Sequence, residues 1–235
     1  MRTAGTKRGT VVSMTKRTLR LPTLGSLLPY RWWWRPGRER DAVFYDRQVR
    51  ARLKRIAPRS YAKSPYYFLW AIIVDRLRRD GFGRVLEIGC GPGQLAEFLF
   101  DQGMQHYVGV DFSASALEHA RHLAPRGTFV HADARTTTVH TDYPHDVIIC
   151  TEVLEHVEGD LDVIARFTPG KRCLCSVPNF EFESHVRYFR DTAEVEARYR
   201  RLFDAFDVIA LQSANHAGDQ FFLFEGVRNE HVPEA

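Results

Sequence analysis

Nine residues, Val85-Leu-Glu-Ile-Gly-Cys-Gly-Pro-Gly93, constrain this chain more than any other stretch. Arg84 to Gly89 reads as a short buried strand. Three glycines at alternate positions then bend the backbone before a helix from about Gln94 to Gln102. Strand, glycine turn and helix in that order belong to βαβ architecture, in which helices cover a parallel sheet. The rest of the chain keeps the alternation. A helix is expected from Ser64-Pro65, a capping residue followed by a proline suited to the first helical position, with Phe68, Leu69, Ile72, Ile73 and Leu77 on a broad apolar side. Strands are expected near Tyr107–Asp111, Thr128–Ala132, Asp146–Cys150 and Arg172–Val177, with helices at Ala114–Leu123 and Ala193–Phe203. Two strands near Val208–Leu211 and Gln220–Glu225 close the pattern.

Charge divides the chain. Residues 1–60 carry 16 Lys/Arg against 3 Asp/Glu, whereas the remainder carries 17 against 26. A basic head on an acidic body does not describe a uniformly basic nucleic-acid-binding domain. We read 1–60 as a flexible extension, with no acid at all before Glu39, and 61–235 as the folded domain. The head also has the composition of a transit peptide, and Met14 offers an alternative start. Trp32, Trp33 and Trp34 lie between Arg31 and Arg35. They suit a lipid interface or base stacking, or, the plainer reading, cover an edge of the domain. No apolar run is long enough to cross a bilayer. Cys90, Cys150, Cys173 and Cys175 have no zinc-ligand spacing and read as reduced, buried thiols, as expected of a cytoplasmic protein.

A glycine-rich turn alone fits a simple loop or a pyrophosphate site. Three features favour a different ligand. The spacing is GxGxG, not the GxGxxG of dinucleotide enzymes. Glu87 stands two residues before the first glycine, where it repels a pyrophosphate and attracts an ammonium or sulfonium. Asp111 ends the second strand, placed for ribose hydroxyls.

These residues resemble the motifs of class I S-adenosylmethionine-dependent methyltransferases. Val85–Gly93 is similar to their first motif, Val108-Gly-Val-Asp-Phe-Ser113 to the second, His131-Ala-Asp-Ala134 to the third and Asp146-Val-Ile-Ile-Cys-Thr151 to the fourth. The resemblance implies an α/β, Rossmann-like fold: a seven-stranded, mostly parallel sheet with helices on both faces and the last strand antiparallel. It implies S-adenosylmethionine as cofactor, with Gly89, Gly91 and Gly93 shaping the methionine side and Asp111 on the ribose. Asp133 would accept from the adenine amino group between Phe112 and Ala134, and Glu87, Cys90 and Thr151 complete the binding set.

After the fourth strand comes Thr151-Glu-Val-Leu-Glu-His156. If a helix begins there, Glu152, Glu155 and His156 share one face and form a candidate site for a divalent metal such as magnesium. Such an ion would lower the pKa of a bound hydroxyl. His156 is the candidate catalytic residue, as base or ligand. Glutamates in a first helical turn are also favoured by the helix dipole whatever they face.

This ExxEH resembles that of O-methyltransferases of ubiquinone biosynthesis, and that of a group methylating the terminal ribose of small RNAs. Ser176-Val-Pro-Asn-Phe-Glu-Phe182 is similar to the latter group, but its histidine-rich segment is absent and His185 is the only histidine nearby. The expected function is therefore O-methylation of a hydroxylated small molecule, the alternative 2′-O-methylation of RNA ends. Tyr45-Asp46 and Tyr66-Tyr67 are candidate lid residues, and the segment Ser184 to Arg190 is a candidate for acceptor contacts.

Overall fold

The computed structural model describes residues 37–55, 60–213 and 217–231. The expectations attached to residues 1–36, including the three tryptophans and the transit-peptide reading, lie outside the described residues. Seven strands form one sheet: β1 (Arg84–Ile88), β2 (His106–Asp111), β3 (Thr128–His131), β4 (Val147–Thr151), β5 (Arg172–Pro178), β6 (Phe203–Gln212) and β7 (Gln220–Arg228). Their order is β3-β2-β1-β4-β5-β7-β6, and β7 pairs antiparallel with both β5 and β6. The helices are α1 (Ala42–Arg55), α2 (Tyr67–Arg79), α3 (Gln94–Asp101), α4 (Ala114–Leu123), α5 (Val139–Asp142), α6 (Asp160–Ala165) and α7 (Thr192–Tyr199). The Rossmann-like fold expected from the sequence is the fold observed.

Side-chain alternation along each strand divides the core between two faces. Val85, Ile149, Leu174 and Phe221 pack with Leu69, Ile73, Leu77, Leu95 and Leu99 from α2 and α3. Their neighbours Leu86, Ile148, Cys175 and Phe222 point the other way, onto Val163, Ile164, Val195 and Tyr199 from α6 and α7. Each fully buried Leu, Ile or Phe contributes roughly 1.5–3 kcal/mol, so the two faces supply most of the driving force. The four cysteines are free and buried, as expected. Successive strands run outward in opposite directions from β1 and β4, and the crevice at their carboxyl ends is where such sheets bind ligands.

Three local expectations differ. The helix near Ser64 starts later, at Tyr67, and Ser64 instead accepts from the backbone of Tyr66. Its inward stripe is Leu69, Trp70, Ile73, Val74 and Leu77, which leaves Phe68 facing out, 61% exposed. α7 stops at Tyr199 because Arg200–Leu202 tightens into a 3-10 turn and Phe203 pairs with Arg228 in the sheet. Finally, α1 falls in the stretch read as an extension, yet it is anchored on α4. Asp46 accepts from Ser113 Oγ at 2.6 Å and the Ser115 N–H at 3.1 Å, and Arg50 donates to Ser115 Oγ at 3.0 Å. Among the described residues no helix is long and apolar enough to cross a membrane.

His140 on α5 is buried, with neither ring nitrogen bonded within the described residues. Burial, reinforced by His145 and Arg166, pushes its imidazole down to about 4. The folded protein thus keeps His140 neutral while the unfolded chain protonates near the ordinary value. Stability from this group is complete above about pH 6.5 and is lost as pH falls toward 4. His140→Leu is expected to flatten the fall in urea midpoint between pH 7 and 5. An unchanged slope would show that His140 is not one of the groups responsible.

Candidate functional site

A cavity of about 300 Å3 opens at the carboxyl edge of β1, β2 and β4; of the expected cofactor, metal and catalytic residues all but Gly93 and Glu155 line it, and of the candidate lid and acceptor residues Tyr45 and Tyr66 do, whereas Asp46, Tyr67 and Ser184 to Arg190 do not. Gly89 (φ 76°), Gly91 (φ 50°) and Gly93 (φ 82°) all take left-handed backbone that other residues rarely adopt. Their surroundings differ. A Cβ on Gly89 would sit 2.2 Å from Val153, and one on Gly93 would sit 2.8 Å from Ala120, whereas Gly91 has open space around it. Gly93 therefore serves the packing of α3 against α4, and Gly91 is where a ligand can approach the backbone.

Asp111 fixes this turn. One carboxylate oxygen accepts from Gly91 N–H and the other from Ser113 N–H, both at 2.8 Å. Each oxygen keeps a lone pair toward the cavity, available to a diol. Glu87 lies beneath the turn, 3% exposed, and accepts a short hydrogen bond from the Tyr107 hydroxyl. Burial pushes Glu87 up to about 8, against the opposing pull of that bond. Cys90 is buried beside it. Asp133 lines the cavity with a partner already in place: Arg135 donates to both of its oxygens and also pairs with Glu39. Glu39 in turn accepts from the Glu158 N–H at 2.8 Å.

The stretch expected to start a helix behaves differently. Glu152 has φ 56°, strained for a residue with a Cβ, and a 3-10 turn at Leu154–His156 follows it. Glu152 is thereby turned away from the other two residues and accepts from Ser176 Oγ at 2.8 Å. His185 takes its place. One oxygen or ring nitrogen each from Glu155, His156 and His185 lie within 4.8 Å of one another.

His156 Nδ1 faces the Ser184 carbonyl at 3.0 Å and His185 Nδ1 faces the Phe180 carbonyl at 3.0 Å. A carbonyl only accepts, so both Nδ1 atoms carry the proton and both Nε2 lone pairs are free. Glu155 is fully buried with neither carboxylate oxygen hydrogen-bonded among the described residues, and Oε1 is 3.7 Å from His156 Nε2. Burial and the neighbouring Glu152 push its carboxyl well above the usual range. Two imidazole lone pairs and an orphaned carboxylate are a donor set that fits a divalent cation. The turn is clamped from behind: Val186 N–H donates to the Glu155 carbonyl at 2.8 Å, and Arg187 donates to the carbonyls of Leu154, Val157 and Glu158.

Aromatic rings continue from this cluster in both directions. Tyr45 lies 5.2 Å from Phe112 and 5.7 Å from His156 between ring centroids. On the other side His185 meets Phe180 at 5.7 Å, Phe180 meets Phe221 at 5.8 Å and Phe221 meets Tyr66 at 5.4 Å. The sequence reading missed Glu39, Arg40, Trp70 and Arg135 among the lining residues. Of these, Arg135 alone carried a local signal, its spacing of two from Asp133.

Residues 85–168 match the family model described as a methyltransferase domain. Ubiquinone biosynthesis O-methyltransferase of Vibrio cholerae serotype O1 is 40% identical over 111 residues, 44% of this chain and 45% of the relative. Trans-aconitate 2-methyltransferase of Streptomyces coelicolor is 34% identical over 131 residues, 51% of this chain and 42% of the relative. The chain thus spans about half the length of the curated relatives it matches. Magnesium protoporphyrin IX methyltransferase of Synechocystis PCC 6803, solved with S-adenosylhomocysteine bound, shares the fold. Its TM-score is 0.60 at 17% identity, over 80% of this chain and 98% of that one. Residues 85–168 thus match a methyltransferase domain, and the chain resembles class I S-adenosylmethionine-dependent methyltransferases of the ubiquinone type.

Proposed function

We propose that this protein methylates a hydroxyl oxygen on a small, ring-bearing molecule, with S-adenosylmethionine as donor. The observation that carries the reading is the convergence of Glu155 and His185 on His156, which lines the cavity. The donor sulfonium is an in-line leaving group, so the protein's tasks are alignment, exclusion of water and disposal of the hydroxyl proton. Asp111 and the glycine turn bind the nucleoside end, and Glu87, once ionised, offers a negative partner to the donor's ammonium. His156 Nε2, with its lone pair free, receives the acceptor's proton. With a cation present the same lone pair is spent on it: Glu155, His156 and His185 would hold the ion, which would lower the hydroxyl pKa, fix its orientation and let the proton pass to solvent. The rings of Tyr45, Tyr66 and Phe180 beside this cluster suit a planar acceptor.

A screen with labelled S-adenosylmethionine, offering catechol-type phenols beside a short RNA duplex, tests the reading. Methylation of the duplex alone would overturn it. Asp111→Ala is expected to weaken S-adenosylhomocysteine binding by roughly tenfold or more. His156→Ala should leave that binding intact and lower turnover by about two to four orders of magnitude. Normal turnover in both variants would remove the site.

Magnesium or manganese should raise the melting temperature of the wild type but not of His185→Ala. Equal responses would rule out the cation. Ionised Glu87 favours a cationic donor, so affinity for S-adenosylmethionine should rise with pH up to about 8 and then level off. Glu87→Gln should lose that rise, which calorimetry at several pH values reads directly.

A further inference from the structure

We propose that Arg40 is the acceptor-recognition residue, pairing with a carboxylate that the acceptor carries in addition to its hydroxyl. The proposal deepens the reading above and rests on it. Arg40 lines the cavity. Its Nε is buried with no hydrogen-bond partner, and its guanidinium makes no ion pair among the described residues. The other lining arginine, Arg135, is already taken by Asp133 and Glu39. A guanidinium that is partly withdrawn from water and left unpaired is costly unless an anion arrives to use it.

Its orientation is set in advance. The guanidinium carbon lies 4.9 Å from the centre of the Phe44 ring, a stacking that holds the plane while leaving its edge free to donate.

The path of the chain assigns Arg40 to the acceptor's side. A Cβ on Gly37 would meet the His185 backbone at 2.4 Å, so the segment runs hard against that residue. Arg38 N–H then reaches the Glu183 carbonyl, and Glu39 the Glu158 N–H. Five residues after Arg40, the Tyr45 ring stands against His156. Arg40 is thus bracketed by residues that touch the Glu155–His156–His185 cluster. A carboxylate also ends the amino-acid part of the donor, and the same guanidinium chemistry would serve it, so the experiment separates the two sources.

The protein loaded with S-adenosylhomocysteine is titrated with protocatechuate, a catechol bearing a ring carboxylate, and with its neutral amide. Wild type should prefer the acid by at least about tenfold. Arg40→Met should bring the ratio close to one without changing affinity for the amide, and Arg40→Lys should retain part of the preference. A ratio that survives in Arg40→Met overturns the proposal, as does a wild type that binds the two compounds alike or binds neither.

A second pair of titrations uses S-adenosylhomocysteine and methylthioadenosine, which lacks the amino-acid end, on the unloaded protein. If Arg40→Met weakens only the former, Arg40 holds the donor's carboxylate and the acceptor assignment is wrong. All these readouts are binding measurements. Failure of methyl transfer itself, which would sink the enzymatic reading, is therefore scored separately.

Discussion

The contact between Gly89 and Val153 holds the two halves of the site in one arrangement. There the bend that leaves β1 and the loop that leaves β4 approach so closely that a single added carbon would lie 2.2 Å from a Val153 methyl. Because β1 and β4 are neighbours in the sheet, this interlock sets the glycine turn and the Glu152–His156 stretch at a fixed separation. Asp111 ties the same turn to β2 through Gly91, and the Arg187 clamp ties the 3-10 turn to the segment after β5. Four strands are thereby coupled by the side chains of Val153, Asp111 and Arg187, each closing on backbone of a neighbouring turn.

Burial gives the floor of the site its electrical character. Glu87, Glu152 and Glu155 are all withdrawn from water, and burial raises the pKa of each. Glu87 and Glu152 are each relieved by one hydroxyl donor, from Tyr107 and Ser176. Glu155 has no such donor. That asymmetry separates a pair of carboxyls supported by hydroxyls from one without such support among the described residues.

The parallel sheet and the glycine bend were legible because they follow from local patterning: apolar runs, glycines in sequence and an acid closing β2. The features that were not legible depend on residues far apart in the chain. Glu152 and Glu155 look like helical neighbours in the sequence, but the positive φ at Glu152 breaks the helix before it starts. His185 joins His156 only because β5 lies beside β4 and returns the chain to the same edge. Asp133, read as an acceptor for the adenine amino group, is also met by Arg135 and, through it, by Glu39, nearly a hundred positions earlier. Asp46 reaches Ser113 across a comparable gap. No spacing rule finds such partners, because it is the fold that brings them together.

The way residues 37–50 are fastened over the cavity has a consequence of its own. Their ties are the Glu39 bridge, the Asp46 bonds to Ser113 and Ser115, and the exposed contact between Gln48 and Glu183. Only the first of these is an ion pair; a solvent-facing pair of that sort contributes about 1 kcal/mol or less, and dissolved salt weakens it further. The bonds beneath, at Asp111 and Glu87, are buried and largely insulated from salt. Ionic strength therefore acts on the one ion pair of this covering segment, between Glu39 and Arg135, and leaves the buried bonds beneath it alone.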